Sequence, residues 1–404
     1  MIKRSVNDLA IFGGEPTFAH KLHVGRPNIG NQERLLDRIR DLLDRRWLTN
    51  QGPLVHEFET KICELLRTKH CIVTCNATTA LEIAIRALGL TGEVVVPSFT
   101  FVATAHALQW QEITPVFCDV DPQTHNLNPR CVEALITPRT SGILATHVWG
   151  RPCPINELME ITARHRLKLL FDAAHAFDCS YRGRKIGNFG AAEVFSFHAT
   201  KFLNTFEGGA VVTNDDELAG KIRLMTNFGF AGYDQVIYLG INGKMSEPAA
   251  AMGLTGLECL DEFVAANRRN YKHYQQSLAD VPGVEMIRYD EAEQSNYQYI
   301  VLEVDELKTH ISRELVSAAL HAENVLARRY FYPGCHRMEP YQSYFPHAGL
   351  LLPETEKLTQ RVLSLPTGTS IEARDVTLIC ELIRFVVEHG AEVSQKISTL
   401  PGNG

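Results

Sequence analysis

Seven short apolar runs follow one another between residues 70 and 214, and they constrain the fold more than any other feature. Most are nearly continuous in apolar residues, as is typical of strands buried on both faces. Helical patterns such as TTALEIAIRAL and INELMEITARHR separate several of them. This alternation predicts an α/β fold with a seven-stranded, mostly parallel central sheet. The runs are HCIVTCN (70–76), EVVVPSF (93–99), TPVFCDV (114–120), GILATHVW (142–149), LKLLFDAA (167–174), EVFSFH (193–198) and GGAVVTN (208–214).

The segments before and after these runs have different patterns. Residues 1–50 are predicted to be irregular, because glycines and prolines punctuate them. A helix is predicted over 55–67, and one long helix from its N-cap Ser246 to about Ala279. Beyond it we expect a strand at QYIVLEV, helices over 309–323 and 371–389, and a YFYPG loop between those two helices.

The length of the chain predicts two domains. At 404 residues it exceeds the size at which a single core usually stops growing. We expect an N-terminal arm and a large domain over residues 1–255, followed by a small C-terminal α+β domain over residues 256–404.

The composition is that of an ordinary globular enzyme and excludes several classes of partner. A formal charge of −7 without basic runs favours neither nucleic acid nor a membrane surface. No stretch approaches the roughly 20 apolar residues of a membrane span, and the N-terminus lacks the apolar core of a signal peptide. The ten cysteines form no CxxC pair, so we expect buried thiols and no zinc site. The cytoplasm is the expected location.

The segment FSFHATKFLNTFEGGAVVTN, residues 195–214, contains the first candidate for chemistry. A buried strand delivers Ser196 and Lys201 at its carboxyl end, where open α/β sheets bind ligands. A lysine with a lowered pKa is what Schiff-base chemistry requires. The alternative is a lysine that extends from the strand end and keeps its charged head in water.

Two further segments point to the same edge of the sheet. The strand LKLLF ends on Asp172, whose carboxylate is suited to a protonated pyridine nitrogen, although strand-end aspartates are more often helix caps or metal ligands. In CNATTALEIAIRAL, Ala77 and Thr78 lie where a strand turns into a helix. Such a turn favours a bound phosphate, but it also fits an ordinary helix cap.

Together, these motifs resemble those of the DegT/DnrJ/EryC1/StrS family of sugar aminotransferases, over about residues 25 to 370. The family pattern resembles S-x-H-x-x-K followed by E-G-G, and this chain has SFHATKFLNTFEGG. The resemblance implies the type I fold of pyridoxal-phosphate enzymes, the aspartate-aminotransferase type. It also implies a homodimer with shared active sites.

The resemblance also implies a role for each matching residue. Lys201 matches the Schiff-base lysine and general acid/base, Asp172 the partner of the pyridine nitrogen, and His175 a residue near the 3-hydroxyl group. Phe101, in PSFTFVAT, matches the aromatic residue that stacks on the ring. The residues that match phosphate contacts are Ala77, Thr78, Ser196 and, in GINGKMS, Asn242, which would reach the neighbouring subunit's cofactor.

This chain departs from the family pattern at two of these motifs. It has N-A-T where the pattern resembles S-G-T, so Asn76 replaces the serine and Ala77 the glycine. It has Gly243 and Lys244 where the pattern has an aromatic residue and an arginine, which predicts altered contacts near the substrate.

The reaction implied by the resemblance is a two-stage transamination with glutamate as the expected amino donor. The acceptor that the resemblance implies is a nucleotide-linked 4-keto-6-deoxyhexose, and the expected product is dTDP-4-amino-4,6-dideoxyglucose. Amination at C-3 is the alternative. A related dehydratase branch has histidine in place of the lysine, so Lys201 argues against it. Other type I pyridoxal-phosphate enzymes and a non-catalytic regulator remain alternatives.

The loop RRYFYPGCHRMEPY resembles the substrate-side segment of sugar aminotransferases. Its residues Arg329, Tyr332 and His336 could contact the substrate, and a surface or packing role is the alternative for each.

Overall fold

The computed structural model describes residues 3–399 and places all seven apolar runs in one sheet. Its strands are β1 (His70–Thr74), β2 (Glu93–Pro97), β3 (Thr114–Cys118), β4 (Thr140–Thr146), β5 (Lys168–Asp172), β6 (Ala192–Ser196) and β7 (Gly209–Thr213). The order across the sheet is β1-β7-β6-β5-β4-β2-β3. Strand β7 is antiparallel to both neighbours, and the other neighbouring pairs are parallel. The predicted sheet is therefore confirmed.

Fifteen α-helical segments accompany the sheets within the described residues. They are α1 (Gln32–Arg45), α2 (Pro53–Leu66), α3 (Ala77–Ala87), α4 (Val102–Gln109), α5 (Pro129–Ala134), α6 (Ile155–His165), α7 (Asp216–Met225), α8 (Glu247–Leu257), α9 (Leu260–Ser277), α10 (Glu306–Thr309), α11 (Arg313–Ala322), α12 (Tyr341–Tyr344), α13 (Pro353–Arg361), α14 (Ala373–Glu388) and α15 (Gly390–Ser398).

Helices cover both faces of the central sheet, which explains why its strands are largely apolar. Because successive side chains of a strand point to opposite faces, neighbouring residues belong to different layers. In β5, Leu169 and Phe171 pack in the layer that contains α2, α6 and α8. Leu170 packs in the opposite layer with α3, α4 and α7. Polar groups are therefore placed at the ends of the strands.

The prediction that residues 1–50 are irregular is wrong, because they contain the 14-residue helix α1. The glycines and prolines that motivated the prediction all precede Asn31. The Asn31 side chain caps the helix by accepting a hydrogen bond from the backbone N–H of Arg34. An apolar stripe then faces the core at helical spacing, and its residues are Leu35, Ile39 and Leu42.

The single helix predicted from Ser246 to Ala279 is also wrong, because the chain forms two helices, α8 and α9. Cys259 adopts φ −111° and ψ 12°, which interrupts the helix. Helix α8 lies against α2 beside the central sheet, and Leu260 and Phe263 at the start of α9 still belong to that core. Only the later part of α9, with Tyr271 and Tyr274, packs in the C-terminal core. The apolar spacing continues across the interruption, so the pattern does not indicate it.

The C-terminal part contains a second, three-stranded antiparallel sheet. Its strands, in spatial order, are β8 (Val284–Met286), β9 (Ile300–Val304) and β10 (Val362–Leu365). The predicted strand QYIVLEV and the two predicted helices correspond to β9, α11 and α14. Residue 309 belongs instead to the single turn α10, which ends because His310 has a left-handed conformation.

The N-terminal arm lies against this C-terminal part at residues 22–23. Leu22 and His23 pair in parallel with Val325 and Leu326. The arm then continues to Gly25, which has φ +73° and packs so closely on Thr200 that a Cβ there would lie 2.9 Å from the Thr200 Cβ. The arm is thereby brought to the carboxyl edge of the central sheet.

The division of the chain into two domains at residue 255 stays a prediction.

Among the helices of residues 3–399, none combines the length and the apolar character that crossing a bilayer requires.

A buried carboxylate holds the start of helix α2. Glu247 is 1% exposed, and its side chain accepts hydrogen bonds from the backbone N–H groups of Leu54 (2.9 Å) and Val55 (3.0 Å). The N-cap residue, Gly52, has no side chain to fulfil this role. A Cβ at residue 52 would lie 2.5 Å from the carboxyl carbon of Glu247. Glycine at residue 52 therefore allows α8 to cap α2.

We expect Glu247→Ala to lower the free energy of unfolding by about 1–3 kcal/mol, because it leaves two buried backbone donors unsatisfied. Urea denaturation monitored by circular dichroism measures the change. Glu217→Ala is the matched control, since Glu217 is exposed in the first turn of α7 and its loss should leave the stability unchanged. Equal stability of Glu247→Ala and wild type would contradict the capping role.

Candidate active site

A cavity of about 400 Å³ lies at the carboxyl edge of the central sheet, where β4, β5 and β6 end. The segments that line it come from the arm, the large sheet and the C-terminal part of the chain. Of the eight predicted site residues, Asn242 lies outside this cavity. The seven that line it are Ala77, Thr78, Phe101, Asp172, His175, Ser196 and Lys201.

Asp172, the last residue of β5, places a buried carboxylate in this cavity. It is 6% exposed and accepts hydrogen bonds from the Thr104 hydroxyl (2.8 Å) and the Ala174 backbone N–H (3.1 Å). Burial raises the pKa of Asp172, and these two donors counteract the increase. In the described part of the chain, Asp172 belongs to no group of side chains arranged to hold a metal. The hydrogen bonds favour a carboxylate that remains charged and faces a cation.

Lys201 places its amine in the same cavity. The Nζ atom donates a hydrogen bond to the Tyr299 hydroxyl at 3.1 Å. Desolvation lowers the pKa of Lys201 from its ordinary value of 10.5 to about 8, although the charge of Asp172 acts in the opposite direction. The amine is therefore not extended into solvent. At this pKa about a tenth of the amine is neutral at pH 7, which supplies the neutral form that a nucleophile requires.

His175 is held in one tautomer. Its Nδ1 atom faces the backbone N–H of Trp149 at 3.2 Å. Because a backbone N–H can only donate, Nδ1 must be the acceptor, and the ring proton is on Nε2. Burial, aided by the charge of Lys201, lowers the pKa of His175 well below 6.5. His175 is thus a neutral donor that lines the cavity.

The first turn of α3 presents free backbone donors to the cavity. The Asn76 side chain caps the helix by accepting from the Thr79 N–H at 2.8 Å. Within the residues described, the N–H groups of Ala77 and Thr78 have no hydrogen-bond partner. Free N–H groups at a helix N-terminus favour an anion. Asn76 therefore acts as the cap, while Ala77 and Thr78 remain available for a phosphate.

The Gly208-Gly209 pair allows this turn to approach the sheet closely. A Cβ at residue 209 would lie 2.6 Å from the Ala77 nitrogen and 2.7 Å from the carbonyl carbon of Asn76. A Cβ at residue 208 would lie 2.0 Å from the Thr205 hydroxyl. All three distances are shorter than a Cβ contact allows. Gly209 therefore lets the N-terminus of α3 lie against β7, and Gly208 lets the Thr205 side chain pack beside it.

Phe101 and Asn242 differ from the other predicted residues in exposure. Phe101 precedes α4, lines the cavity and is 59% exposed, so one face of its ring is available for stacking. Asn242 is exposed and accepts a hydrogen bond from Lys244 at 2.7 Å.

The three residues predicted for substrate contact or packing separate into two groups. Arg329 and Tyr332 line a second cavity of about 340 Å³ that shares Phe101 with the first. The Arg329 guanidinium lies 4.8 Å from the centre of the Tyr332 ring. His336 is 2% exposed and hydrogen bonds to Ser98 (2.6 Å) and Glu356 (2.7 Å), so it has a packing role.

Several cavity residues were not predicted from the sequence. Tyr299 directly precedes β9, and no local pattern indicates that it would meet Lys201, which is 98 residues away along the chain. The motif RRYFYPG was singled out for Arg329 and Tyr332, but three other residues of this motif line the first cavity. These are Arg328, Tyr330 and Phe331.

Comparison with known proteins assigns the chain to a family. A model described as the DegT/DnrJ/EryC1/StrS aminotransferase family matches residues 30–384. The chain belongs to this family. The predicted family, the type I fold and the prediction of an aminotransferase are therefore confirmed.

Two related proteins and one solved structure are similar to this chain over most of its length. The dTDP-4-amino-4,6-dideoxy-D-glucose transaminase of Escherichia coli is 34% identical over 363 residues, which are 89% of this chain and 97% of that protein. The GDP-perosamine synthase of Caulobacter vibrioides is 38% identical over 263 residues, 64% of this chain and 70% of that protein. A crystal structure of DesI in the presence of its TDP-sugar product is 49% identical, with a TM-score of 0.94. It covers 98% of this chain and 100% of that one.

We expect Gly209→Ala to weaken phosphate binding and to lower the free energy of unfolding by about 1–3 kcal/mol, because the new methyl group displaces the first turn of α3. Isothermal titration with pyridoxal phosphate and thermal unfolding measure the two effects. Gly220→Ala is the control. Residue 220 lies inside α7 with open space around its Cβ position, so alanine should stabilise the helix slightly. Unchanged phosphate affinity in Gly209→Ala would show that the close approach is not needed.

Proposed function

We propose that this protein transfers an amino group to the keto carbon of a nucleotide-linked sugar, with pyridoxal phosphate as cofactor. The observation that supports this best is the cavity in which the Lys201 amine and the Asp172 carboxylate lie together at the carboxyl edge of the sheet. The substrate class follows from the names of the relatives, which act on dTDP- and GDP-linked sugars or were crystallised with a TDP-sugar. The acceptor we favour is dTDP-4-keto-6-deoxyglucose, which yields the 4-amino sugar.

Pyridoxal phosphate, the predicted cofactor, is confirmed by the family membership, and the cavity suits this molecule. The free N–H groups at the start of α3 suit its phosphate, and the Ser196 hydroxyl lines the same cavity. The exposed ring of Phe101 suits its aromatic face. The Asp172 carboxylate suits a protonated pyridine nitrogen. We propose that these residues, with Asn242 from the partner subunit, hold the cofactor.

Lys201 is proposed to bind the cofactor and to move the proton in both halves of the reaction. When bound, the cofactor withdraws electrons from the carbon that gains or loses this proton. An amine with a pKa near 8 accepts and releases protons readily at neutral pH. Its Nζ atom is therefore suited to act as base in one direction and as acid in the other.

Asp172 and His175 are proposed to set the electronic state of the cofactor. The hydrogen bonds from Thr104 and Ala174 keep Asp172 charged, and this charge stabilises a protonated ring nitrogen. His175 has its proton on Nε2, and this N–H group would donate to the oxygen of the cofactor's 3-hydroxyl group. Its neutral state avoids placing a second positive charge beside Lys201.

The substrate side of the site is proposed to extend into the second cavity. Arg328 lines both cavities and Arg329 the second one. Guanidinium groups bind phosphate oxygens in pairs, which suits the diphosphate of a nucleotide sugar. Glutamate is proposed as the amino donor on the basis of the motif resemblance.

We propose a homodimer in which Asn242 completes the partner's site. The segment between α7 and α8 exposes many large apolar side chains, which is typical of an interaction surface. Antiparallel bridges between Asn227 and Asn242, and between Phe230 and Val236, give this segment a hairpin shape. Its exposed apolar residues are Phe228, Phe230, Tyr233, Val236, Ile237, Leu239 and Ile241.

The cytoplasm is the proposed location. The ten cysteines are free thiols, and six of them are buried, including Cys71, Cys153 and Cys179. Burial raises the pKa of these three thiols above the ordinary value, which keeps them protonated and unreactive. Thiols of this kind are usual in a reducing compartment.

We expect the purified protein to aminate dTDP-4-keto-6-deoxyglucose at C-4 and Lys201→Ala to lose about 10²–10⁴-fold in turnover, because the acid/base group is removed. Mass spectrometry and NMR of the product measure amination and its position. Lys168→Ala is the control, since Lys168 lies exposed at the opposite end of β5. Amination at C-3, or preference for a GDP- or UDP-linked sugar, would contradict the favoured substrate.

We expect the rate at which the cofactor-free protein captures pyridoxal phosphate to rise with pH and to level off above about pH 8. Only the neutral amine attacks, and the pKa of Lys201 is lowered from 10.5 to about 8. Asp172→Asn removes the charge that raises this pKa, so its profile should level off at lower pH. Stopped-flow absorbance measures the rates. A rate that keeps rising towards pH 10.5 would show that the Lys201 pKa is not lowered.

A further inference from the structure

Lys244 makes contacts that determine how Asn242 is presented. Its Nζ atom donates to Oδ1 of Asn242 at 2.7 Å and to Oδ1 of Asn227 at 2.8 Å. The same ammonium lies 5.0 Å from the centre of the Phe228 ring. Lys244 is therefore held on three sides by residues of its own subunit.

The chemistry of the ammonium group fixes the orientation of both amides. An ammonium has three N–H donors and no acceptor, so any amide that bonds to it must turn its oxygen towards it. The Nδ2 group of Asn242 then points away from Lys244. Asn242 itself is exposed, so this Nδ2 group is a donor directed at whatever approaches from outside.

The backbone of this segment is fixed against the phosphate turn of its own subunit. The Cys75 N–H donates to the Gly243 carbonyl at 2.7 Å, and Lys244 pairs with Thr74 at the end of β1. A Cβ at residue 243 would lie 2.9 Å from the Thr79 side chain, so glycine permits this packing. The position of Asn242 is therefore set by the same turn that starts α3.

We propose that Lys244 is a positioning residue that orients the Asn242 amide, so that its Nδ2 group donates to the cofactor phosphate in the partner subunit's site. The proposal rests on the proposed function and on its homodimer. Without Lys244 the amide can rotate and present its oxygen, which repels a phosphate. The ammonium also places positive charge beside the donor, which favours an anion.

A double-mutant cycle on cofactor-free protein tests this proposal. Affinities for pyridoxal phosphate and for pyridoxal, which lacks the phosphate, are measured by absorbance titration. Lys244→Met and Asn242→Ala should each weaken pyridoxal phosphate binding by about tenfold, the loss expected for one hydrogen bond to a charged group. The double variant should lose no more than either single one, and pyridoxal binding should not change.

Three further variants make the test specific. Lys244→Arg should retain the wild-type affinity, because a guanidinium also has donors only. Asn242→Asp should weaken binding more than Asn242→Ala, because it places an acceptor at the phosphate. Lys221→Met is the matched control: like Lys244, Lys221 has its ammonium beside an aromatic ring, 5.6 Å from the centre of Tyr238, but it donates to the Ala87 carbonyl and lies outside the Asn242 contacts. It should leave both affinities unchanged.

The possible results separate this proposal from the proposed function. Additive losses in the double variant, equal losses for pyridoxal and pyridoxal phosphate, or full affinity in Lys244→Met would overturn the role of Lys244. Full affinity in Asn242→Ala would overturn the role of Lys244 as well. It would not contradict the proposed roles of Lys201 in cofactor binding and proton transfer. If Lys244→Met does not fold, Lys244→Ala, which also removes the donor, replaces it and should show the same non-additivity. A wild type that binds no pyridoxal phosphate would instead refute the proposed function.

Discussion

The balance of charges around Lys201 is the constraint on which the whole arrangement depends. Removing the amine from water lowers its pKa to about 8, and the carboxylate of Asp172 keeps it from falling further. Without burial the amine would be fully charged and unreactive at neutral pH. Without Asp172 the cavity would lose its buried carboxylate, and the other carboxylate that lines it, Glu207, is exposed to solvent.

The fold creates this balance by bringing several polar groups together at the carboxyl edge of the sheet. Helices cover both faces of the sheet, so the strands are apolar and their carboxyl ends carry the polar residues. Asp172 ends β5 and Ser196 ends β6, and the two strands are parallel neighbours. The glycines after Lys201 let α3 start directly beside them. A cationic amine, a carboxylate and a helix N-terminus thus face one cavity.

The sheet and most of the site were predictable from the sequence, because both follow from local patterns. Each strand is an apolar run of its own, and Lys201 and Asp172 follow such runs directly. Helix α1 was not predicted, because the glycines and prolines before Asn31 indicate an irregular segment. The helical spacing of apolar residues begins only after Asn31. The break at Cys259 could not be predicted, since apolar residues continue at helical spacing from α8 into α9 across it.

The contacts that refine the site were also beyond the sequence, because they join distant segments. Tyr299 meets Lys201 across 98 residues, and the Trp149 backbone fixes the tautomer of His175. Neither contact has a motif of its own. Asn76 illustrates the limit of motif matching: its position matches a phosphate contact, but its side chain caps α3 instead.

The central claim is that the Lys201 amine is the reactive group of this cavity. The most direct measurement is borohydride reduction of the protein loaded with pyridoxal phosphate, followed by peptide mass spectrometry. The account predicts that one cofactor per chain is fixed to the peptide that contains Lys201. It also predicts that Lys201→Ala fixes none. Attachment to a different lysine, or no attachment in the wild type, would contradict the account.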